Sequence, residues 1–466
     1  MGMRALGRRR QVQKEKGTRK AKAKGNDQGA RINLTGRSQS DFASSPDMIQ
    51  GSVVRQESGV LKFYDFFAGA GMATLGLSAR WDCIWANDID ERKAKVYADF
   101  FGRGHFVRDD VANISAASLP KPAHLAWASF PCQDLSLAGW QRGLSAERSG
   151  AFWPFWRIMH DLLEVGQRPP IVVIENVAGL LYGDSFTGLC EALAALDMQF
   201  GALVMDARRF LPQSRPRVFV VAVDAGWNVS DFEDSKPVEA WTPDNLVNAR
   251  DRLPDNLKRL WRWWSLAVPK GRVKTLEKII EEAPTLVEWH TTAETKALLD
   301  MMDERNREKV KKAVRSGGEH IGFLYKRIRN EVQRAEVRFD GISGCLRTPK
   351  GGSSRQTVVI VRNGRVRSRL LSPREAARLM GVPDKFKLPN TYNDAYRAMG
   401  DGVAVPVVSW LSENLLFPLA EKGLADGEVA IELGERTDLN HLLDYRRSSE
   451  RRADEWLMSQ RLRNSL

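Results

Sequence analysis

A cysteine in a proline-bounded loop is the first candidate for chemistry in this sequence. Cys132 lies in the tripeptide Pro131-Cys132-Gln133, directly after the apolar run Leu125–Phe130. A thiolate is a strong nucleophile, and a loop at the ligand-binding edge of a sheet is where a nucleophile is needed. The alternative is an inert core residue, which is the commoner role of a lone cysteine. The loop position favours the nucleophile.

A carboxyl group and two arginines occupy comparable positions further along the chain. Glu175 ends the apolar run Ile171–Ile174, where a protonated glutamic acid can donate a hydrogen bond to a substrate; the alternative is a helix cap. Arg215 and Arg217 precede the run Val218–Val223, and a spacing of two lets both side chains project to the same side of an extended segment. Their alternative is an exposed surface pair.

Glycines at a strand-to-helix turn indicate a nucleotide-like ligand. Gly69 and Gly71 follow the run Leu61–Phe67, and glycine at such a turn lets the backbone approach a ligand closely. Asp88 ends the next run, where a carboxylate can accept hydrogen bonds from ribose hydroxyls. Asp110 ends a third strand-like stretch. The third glycine of the dinucleotide pattern is absent, which disfavours NAD. A tight structural turn with surface acids is the alternative.

Short apolar runs separated by polar helical stretches must position these residues. This rhythm is typical of buried parallel strands that alternate with helices, and it predicts an α/β fold with an open sheet. Because the carboxyl ends of parallel strands meet at one edge, the candidate residues are expected to lie together. The runs are Leu61–Phe67, Cys83–Ala86, Leu125–Phe130, Ile171–Ile174, Ala202–Met205 and Val218–Val223.

The rhythm changes after Asp224. Residues 225–345 are rich in tryptophan and basic residues, which predicts a smaller inserted domain whose tryptophans either fill its core or serve recognition. Regular structure is expected to return between residues 357 and 419. There, Ser372-Pro373-Arg374-Glu375 has the pattern of a capping box with proline at the first helical position.

Taken together, these residues resemble a DNA cytosine-5 methyltransferase that uses S-adenosylmethionine. The matching segments occur in the order of that family and cover the chain from about Leu61 to Leu419. The resemblance implies a Rossmann-like methyltransferase sheet with a smaller inserted target-recognition domain. The segments are Phe67-Ala68-Gly69-Ala70-Gly71, Pro131-Cys132-Gln133, Glu175-Asn176-Val177, Gln213-Ser214-Arg215-Pro216-Arg217, Arg369-Leu370-Leu371-Ser372-Pro373-Arg374-Glu375 and Gly400-Asp401-Gly402-Val403.

The resemblance also implies a mechanism that needs no metal. Cys132 would add to carbon 6 of a cytosine flipped out of the duplex, and carbon 5 would then take the methyl group. Glu175 would hydrogen-bond N3 and the exocyclic amine. Arg217 would orient Glu175, and Arg215 would orient the base. Loss of the carbon 5 proton and expulsion of the thiol would complete the reaction.

Cofactor contacts are implied by the same resemblance. The sequence departs from the family at two of them, because Asp88 replaces the commoner glutamate and Asp401 stands where many members have asparagine. The second departure leaves one side-chain contact open. The implied cofactor-binding residues are Phe67, Gly69, Gly71, Asp88, Asp110, Val111, Pro131 and Val403.

The implied target-recognition domain covers residues 225–356. Arg347 and Arg355 are candidates for contacts with phosphate or guanine, and Gln133 is a third DNA-binding candidate. The other expected segments are a disordered basic tail at 1–58, the S-adenosylmethionine-binding catalytic domain at 59–224, the C-terminal part of the catalytic domain at 357–419 and a C-terminal extension at 420–466.

Composition agrees with a partner that is a polyanion. The 466 residues carry a net charge of +13, with the basic excess concentrated in residues 1–60 and 241–340. Apolar residues make up 43% and charged residues 28%, which is ordinary for globular proteins. The four cysteines show no metal-ligand spacing, and no apolar run reaches the length of a membrane span.

Together with the composition, the resemblance implies a metal-free monomer that binds double-stranded DNA and no membrane, and that is cytoplasmic and nucleoid-associated if the host is a prokaryote. A cognate restriction endonuclease acting on the same site is a further expected partner, in a restriction-modification or DNA-protection role. Two alternatives remain open: an RNA cytosine-5 methyltransferase and a catalytically silent DNA-binding relative. The basic tail is expected to be a solvated end, a non-specific DNA tether or a transit peptide.

Overall fold

The structure is a computed structural model that describes residues 60–131, 151–271, 275–347 and 355–433, together with helical positions at 449–451, 453, 454 and 458. Cys132, Gln133 and the basic tail lie outside these residues. The strands are β1 (Leu61–Phe66), β2 (Trp81–Asn87), β3 (Phe106–Val107), β4 (Leu125–Ala128), β5 (Ile171–Asn176), β6 (Met198–Asp206), β7 (Pro216–Asp224), β8 (Glu319–Arg329), β9 (Val332–Arg338), β10 (Thr357–Arg362) and β11 (Arg365–Leu370).

Twelve α-helices connect these strands within the described residues. They are α1 (Met72–Leu77), α2 (Glu91–Phe101), α3 (Phe152–Glu164), α4 (Ser185–Ala194), α5 (Asp244–Asp251), α6 (Asp255–Leu260), α7 (Thr292–Asp300), α8 (Glu304–Arg315), α9 (Pro373–Leu379), α10 (Tyr392–Gly400), α11 (Val405–Leu411) and α12 (Phe417–Leu433).

The main sheet has seven strands in the order β3-β2-β1-β4-β5-β7-β6. Strands β1 to β5 pair in parallel, which confirms the predicted α/β fold with a Rossmann-like sheet. The expectation that all strands are parallel is wrong for β7, which is antiparallel to both β5 and β6. The reason is the short link at residues 207–215, which contains one 3₁₀ turn and no α-helix. A parallel pairing would need a crossover of about a dozen residues or more.

Both faces of this sheet are covered, as the long apolar strands require. Successive side chains of a strand point to opposite faces, so in β4 Leu125 and Trp127 enter one core cluster while Ala126 and Ala128 enter the other. The first cluster also contains side chains of α1, α9, α10 and α11. The second contains side chains of α3 to α6.

A second sheet of four antiparallel strands has the order β11-β10-β8-β9. One side of it packs with α7 and α8 in a separate small cluster that includes Leu298, Val310, Leu324 and Val337. Strands β10 and β11 belong to this sheet, so it combines residues from both sides of position 356. The tryptophans at 241, 261 and 264 are buried in the two main clusters rather than in the small one.

The predicted capping box at the start of α9 is confirmed. The Ser372 hydroxyl accepts from the Glu375 backbone N–H at 3.1 Å, and the Glu375 carboxylate accepts from the Ser372 N–H at 2.8 Å. Glu375 also forms a fully buried ion pair with Arg369 of β11, at 2.6 and 2.8 Å. The two ends of this sequence motif therefore tie β11 to α9, which is a structural role.

The C-terminal helices continue this packing. Among the described residues, one helical stretch at 392–426 is long and apolar enough to match a membrane-spanning helix in composition. Inside the protein, 61% of its apolar window is buried, as in the core helices of soluble proteins. Further along, Ala453 is buried in the second main cluster, and Glu450 Oε1 lies 3.1 Å from His160 Nε2 of α3.

Candidate active site

The predicted site residues come from the same edge of the main sheet. Strands β1, β2, β4 and β5 are parallel, so their carboxyl ends meet at this edge, which is where ligands bind in such sheets. Strand β7 runs in the opposite direction and therefore starts at the same edge. The pairing of Asn176 with Val218 places the start of β7 beside the end of β5. The antiparallel strand is thus what brings Arg217 to Glu175.

Glu175 and Arg217 form an ion pair, with Nε of Arg217 3.1 Å from Oε1 of Glu175. Glu175 is opposite Phe219 in the sheet, and Arg217 lies two residues before Phe219, so both side chains share one face. The side chains are only 10% and 15% exposed. A partly desolvated charge needs its partner, so this contact fixes the orientation of the Glu175 carboxylate.

Arg215 is buried and binds backbone carbonyls. Its Nη1 donates to Leu346 O at 2.9 Å, and its Nη2 donates to Gly400 O at 2.9 Å and to Gly402 O. The guanidinium therefore ties the main sheet to the end of the inserted region and to the Gly400–Val403 segment. In this structure Arg215 is placed to hold the walls of the site together.

Cys345 lies at this site although no sequence pattern indicated it. Its Sγ lies 3.3 Å from Nη1 of Arg215. Burial alone would raise the pKa of its thiol, but the guanidinium groups of Arg215 and Arg217 outweigh that effect, and the pKa is lowered. Both arginines therefore reach one thiol, as their spacing of two predicts. No motif surrounds Cys345 in the sequence, so only the fold could reveal it.

The chain that leads to the predicted nucleophile is described up to Pro131. Phe130 is buried, and its carbonyl accepts from Asn176 Nδ2 at 3.3 Å. Pro131 is exposed. The end of β5 therefore holds the start of the loop that contains Cys132, although Cys132 and Gln133 themselves lie outside the described residues.

Asp88 anchors the second half of the site. Its Oδ2 accepts from Gly69 N–H at 2.9 Å and its Oδ1 accepts from Asp90 N–H at 2.8 Å. Burial raises the pKa of Asp88, an effect that the nearby Lys93 ammonium partly offsets. Each carboxylate oxygen keeps a further lone pair. Asp88 can therefore accept hydrogen bonds from ribose hydroxyls while it fixes the glycine turn.

The two glycines of this turn serve different purposes. Gly69 has φ +58°, a backbone conformation that favours glycine, and a Cβ there would be in ordinary contact with the Lys93 and Asp88 side chains at 3.9 and 4.0 Å. Gly71 has φ +83°, but a Cβ there would come within 2.3 Å of Phe101 and 2.9 Å of Tyr97. Gly71 is therefore required for helix packing as well as for the turn. A glycine turn with the Asp88 carboxylate beside it fits S-adenosylmethionine, because that carboxylate can bind the ribose hydroxyls.

Lys93 and Asp401 face each other next to this cradle. Lys93 Nζ is 3.0 Å from Asp401 Oδ2, and the two side chains are 19% and 31% exposed. Burial acts to lower the pKa of Lys93, but Asp401 and Asp88 outweigh it and the pKa is raised. The aspartate at position 401, where many members of the resembled family have asparagine, thus has a defined partner. The sequence did not indicate this pair.

The residues that the resemblance implies for binding adenine make few contacts with other parts of the site. Asp110 caps a short 3₁₀ turn by accepting from Ala112 N–H at 3.0 Å, and Val111 is buried below it. Ile89, which sequence reasoning missed, is 66% exposed between two aspartates at the end of β2. A large exposed apolar side chain at a ligand edge suits contact with a flat apolar ring. Its exposure could not be deduced from the sequence.

The remaining predicted residues lie at the margins of the site. Phe67 is partly exposed, and its backbone has a positive φ of 59°. Val403, the last residue of the Gly400–Val403 segment, is buried. Arg347 is exposed. The Arg355 guanidinium lies 5.2 Å from the Tyr392 ring and donates to Asn393, so the structure holds it against α10. Among the described residues, no cluster of side chains suited to a metal ion is found.

Asp65, one residue before the end of β1, is a fully buried acid below the glycine turn. Its Oδ2 accepts from the Thr74 hydroxyl at 2.6 Å, while its Oδ1 has no hydrogen-bond partner among the described residues. Burial raises its pKa to about 7, and repulsion from Asp88 adds to the effect. Asp65 is therefore expected to be largely protonated below neutral pH in the folded protein.

This raised pKa predicts that stability falls as pH rises. A carboxyl group that binds its proton more tightly when folded stabilises most below its unfolded pKa, and the stabilisation is lost as pH rises through about 7. Between pH 6 and pH 8.5, we expect the Asp65 contribution to decrease by roughly 1 kcal/mol. Urea unfolding at the two pH values tests this. An Asp65→Asn variant should lose that component of the pH dependence; an unchanged slope would contradict the assignment.

The family described as C-5 cytosine-specific DNA methylase matches residues 61–416. The type II methyltransferase M.HhaI of Haemophilus parahaemolyticus is 27% identical over 360 residues, covering 76% of this chain and 94% of that protein. The type II methyltransferase M.DsaV of Dactylococcopsis salina is 28% identical over 363 residues, covering 76% and 86%.

The fold is also similar to that of a solved methyltransferase structure. The methyltransferase EhMeth of Entamoeba histolytica superposes with a TM-score of 0.54 at 14% sequence identity, covering 77% of this chain and 98% of that chain. At this identity the similarity supports the fold, and the fold is that of a methyltransferase.

Proposed function

The chain belongs to the family of C-5 cytosine-specific DNA methylases and is therefore a methyltransferase, and from this premise we propose that it methylates carbon 5 of cytosine in double-stranded DNA. The methyl donor in this proposal is S-adenosylmethionine. The observation that carries the proposal is the Glu175–Arg217 ion pair. It lies at the end of β5, where the Asn176 side chain also binds the Phe130 carbonyl, two residues before Cys132.

In the proposed mechanism, the chain supplies a nucleophile and an oriented acid. Cys132 adds as a thiolate to carbon 6 of a flipped cytosine, which makes carbon 5 nucleophilic. Addition of the thiolate places negative charge on the ring, and the Glu175 carboxyl group passes a proton to N3 and accepts a hydrogen bond from the exocyclic amine. Carbon 5 then takes the methyl group, which leaves the donor as a neutral thioether. Loss of the carbon 5 proton to solvent restores the 5,6 double bond as the Cys132–carbon 6 bond breaks; the thiolate is regenerated and N3 returns its proton to Glu175.

The two arginines act through other groups. Arg217 holds the Glu175 carboxylate in place at 3.1 Å. Arg215 is a positioning residue, because its terminal nitrogens bind the carbonyls of Leu346, Gly400 and Gly402. Through these contacts Arg215 keeps the end of the inserted region and the Gly400–Val403 segment at fixed distances from the main sheet.

The cofactor end of the proposal rests on chemistry that the residues can perform. S-adenosylmethionine supplies an electrophilic methyl group on a sulfonium. Asp88 would bind the ribose hydroxyls and Ile89 would contact the adenine ring, while the absence of a side chain at Gly69 lets the backbone of the turn approach the ligand closely. Asp110, Val111, Phe67, Pro131 and Val403 are proposed to complete the pocket.

Duplex DNA is the proposed substrate because of an exposed two-stranded arm. Strand β10 begins opposite Leu324, and beyond that point residues 327–334 of β8 and β9 are exposed and form a two-stranded hairpin, here called the β8–β9 arm. A two-stranded ribbon of this kind fits the major groove of B-DNA. At its tip, Ile328 is 70% exposed and Val332 is 49% exposed.

The β8–β9 arm carries positive charge on one face. Arg327 is directly opposite Arg334, and Arg329 lies two residues further along the same face. Glu336 is shared between Arg327 and Arg329, at 3.8 and 2.9 Å, so the face retains a positive excess. Such a face suits phosphate contacts that position the protein on a duplex.

The biological role that we propose is modification of a short DNA site by a cytoplasmic monomer. The similar type II methyltransferases support this role. A restriction endonuclease that cuts the same site is the proposed partner in a restriction-modification or DNA-protection system. Arg347 and Arg355, with Gln133, are the proposed additional DNA contacts.

Bisulfite sequencing tests the proposed function directly. Plasmid DNA from cells that express the protein should contain cytosines protected from conversion within one short motif. A Cys132→Ser variant provides the matched control and should leave those cytosines unprotected. Protection within one motif would establish the reaction and identify the site.

Two results would contradict the proposal. Complete conversion of plasmid DNA, together with methyl transfer to cellular RNA, would show an RNA substrate instead. Complete conversion with folded protein that binds DNA would identify a silent relative.

A further inference from the structure

We propose that Lys93 and Asp401 form a binding pair for the amino-acid end of the cofactor. In this inference, the Lys93 ammonium binds the ligand carboxylate and the Asp401 carboxylate binds the ligand α-ammonium. The inference rests on the proposed use of S-adenosylmethionine. It assigns to position 401 a role that an asparagine could not fill with the same charge.

The position of the pair is the first argument. Lys93 lies in the first turn of α2, and its side chain passes 3.9 Å from the point where a Cβ of Gly69 would lie. Asp401 follows α10 at the start of the turn that leads to Val403. The pair therefore spans the pocket beside the glycine turn, on the same side as Asp88.

The distribution of charge is the second argument. This side of the pocket is rich in carboxylates, which would repel the carboxylate of an amino acid. The neighbouring cations Arg92 and Arg397 form ion pairs with Asp394 at 3.0 Å and with Asp90 at 3.2 Å. Lys93 is the cation next to the glycine turn, and its side chain is 81% covered. It is thus placed to neutralise a ligand carboxylate there.

The capacity of the two groups is the third argument. An ammonium group has three donors, and the Asp401 contact occupies one of them. A carboxylate has four lone-pair sites, so Asp401 can accept from Lys93 and from a ligand ammonium together. Because the pair is partly buried, charge-assisted contacts with the ligand are stronger than they would be at the surface. Opposite charges side by side match the zwitterion of an α-amino acid.

Calorimetric binding of three ligands to the full-length protein tests the inference. S-adenosylhomocysteine carries both charged groups, its decarboxylated analogue keeps only the ammonium, and 5′-methylthioadenosine has neither. Lys93→Met should lower the affinity for S-adenosylhomocysteine about 10- to 100-fold, while the affinity for 5′-methylthioadenosine should change less than about twofold. The variant should also lose the preference for S-adenosylhomocysteine over the decarboxylated analogue.

Matched variants separate the two halves of the pair. Asp401→Asn should reduce the preference for the decarboxylated analogue over 5′-methylthioadenosine. Arg92→Met removes a neighbouring ion pair between the same two segments and should leave all three affinities nearly unchanged. Retained binding of 5′-methylthioadenosine shows that each variant is folded.

The outcomes distinguish this inference from the proposed function. If Lys93→Met lowered the affinities for S-adenosylhomocysteine and 5′-methylthioadenosine equally, the inference would be overturned. The lysine would then only support Asp88 and the glycine turn. Failure of the wild-type protein to bind any of the three ligands would overturn the proposed function itself.

Discussion

Replacing Cys132 with serine is expected to abolish methyl transfer, by at least about 10³-fold. A serine hydroxyl is a far weaker nucleophile than a thiolate at neutral pH, so it cannot add to carbon 6 of cytosine. Without that addition, carbon 5 does not become nucleophilic, and an intact cofactor pocket is of no use. The effect should appear in the chemical step, with cofactor affinity close to that of the wild-type protein.

Transfer of a labelled methyl group to duplex DNA in a single turnover measures this loss. A second readout is the covalent complex with DNA that contains 5-fluorocytosine, in which the fluorine blocks the final elimination. Wild-type protein should form a complex that survives denaturation, and Cys132→Ser should form none. Cys83→Ser is the matched control, since Cys83 in β2 makes only weak contacts: its thiol donates to the Trp85 carbonyl and accepts from the Tyr97 hydroxyl, each at 3.5 Å.

Cys345 makes a second comparison necessary. Its thiol is adjacent to Arg215 and has a lowered pKa, so it is the competing candidate for the nucleophile among the described cysteines. A covalent complex that persists in Cys132→Ser and disappears in Cys345→Ser would transfer the nucleophilic role to Cys345. The reverse pattern is the expected one.

The sequence was sufficient to predict the edge of the sheet at which the site lies. Apolar runs mark buried strands, and residues that follow parallel strands must meet at one edge, so Gly69, Asp88 and Glu175 could be grouped without a structure. The capping box at Ser372 was predictable for a similar reason, because it depends on residues three positions apart. Both inferences rest on local patterns.

Long-range pairings were not predictable in the same way. The direction of β7 depends on the length of a link without a helix, and apolar periodicity does not report strand direction. The approach of Lys93 to Asp401 and that of Arg215 to Cys345 join residues more than a hundred positions apart. A single amino-acid sequence contains no local pattern that indicates such contacts, because they form only when separate segments pack on the same sheet.

Arg215 makes contacts in the structure that its sequence motif does not reveal. The sequence pattern places Arg215 and Arg217 two residues apart, and both were expected at the substrate. In the structure, Arg217 pairs with Glu175, whereas Arg215 is buried among backbone carbonyls. The difference follows from position, because Arg217 belongs to β7 and Arg215 precedes it, next to the Gly400–Val403 turn.

Glu175→Gln should lower the single-turnover rate of methyl transfer by about 10²- to 10³-fold, the second-largest effect that we expect. Glutamine keeps the shape of the side chain but removes the charge that Arg217 orients, and it cannot exchange a proton with N3. Binding of S-adenosylhomocysteine should be unchanged, which serves as the control for folding.

The combination of Glu175→Gln with Arg217→Met tests how the arginine acts. Because Nε of Arg217 lies 3.1 Å from the Glu175 carboxylate, the arginine is expected to work through that group. Its replacement should then cost much less in the Glu175→Gln background than in the wild-type protein, as residues that act as a unit are non-additive. Multiplicative losses would instead mean that Arg217 contacts the cytosine independently. The double-mutant cycle of single-turnover rates thus decides between a positioning residue and a catalytic one.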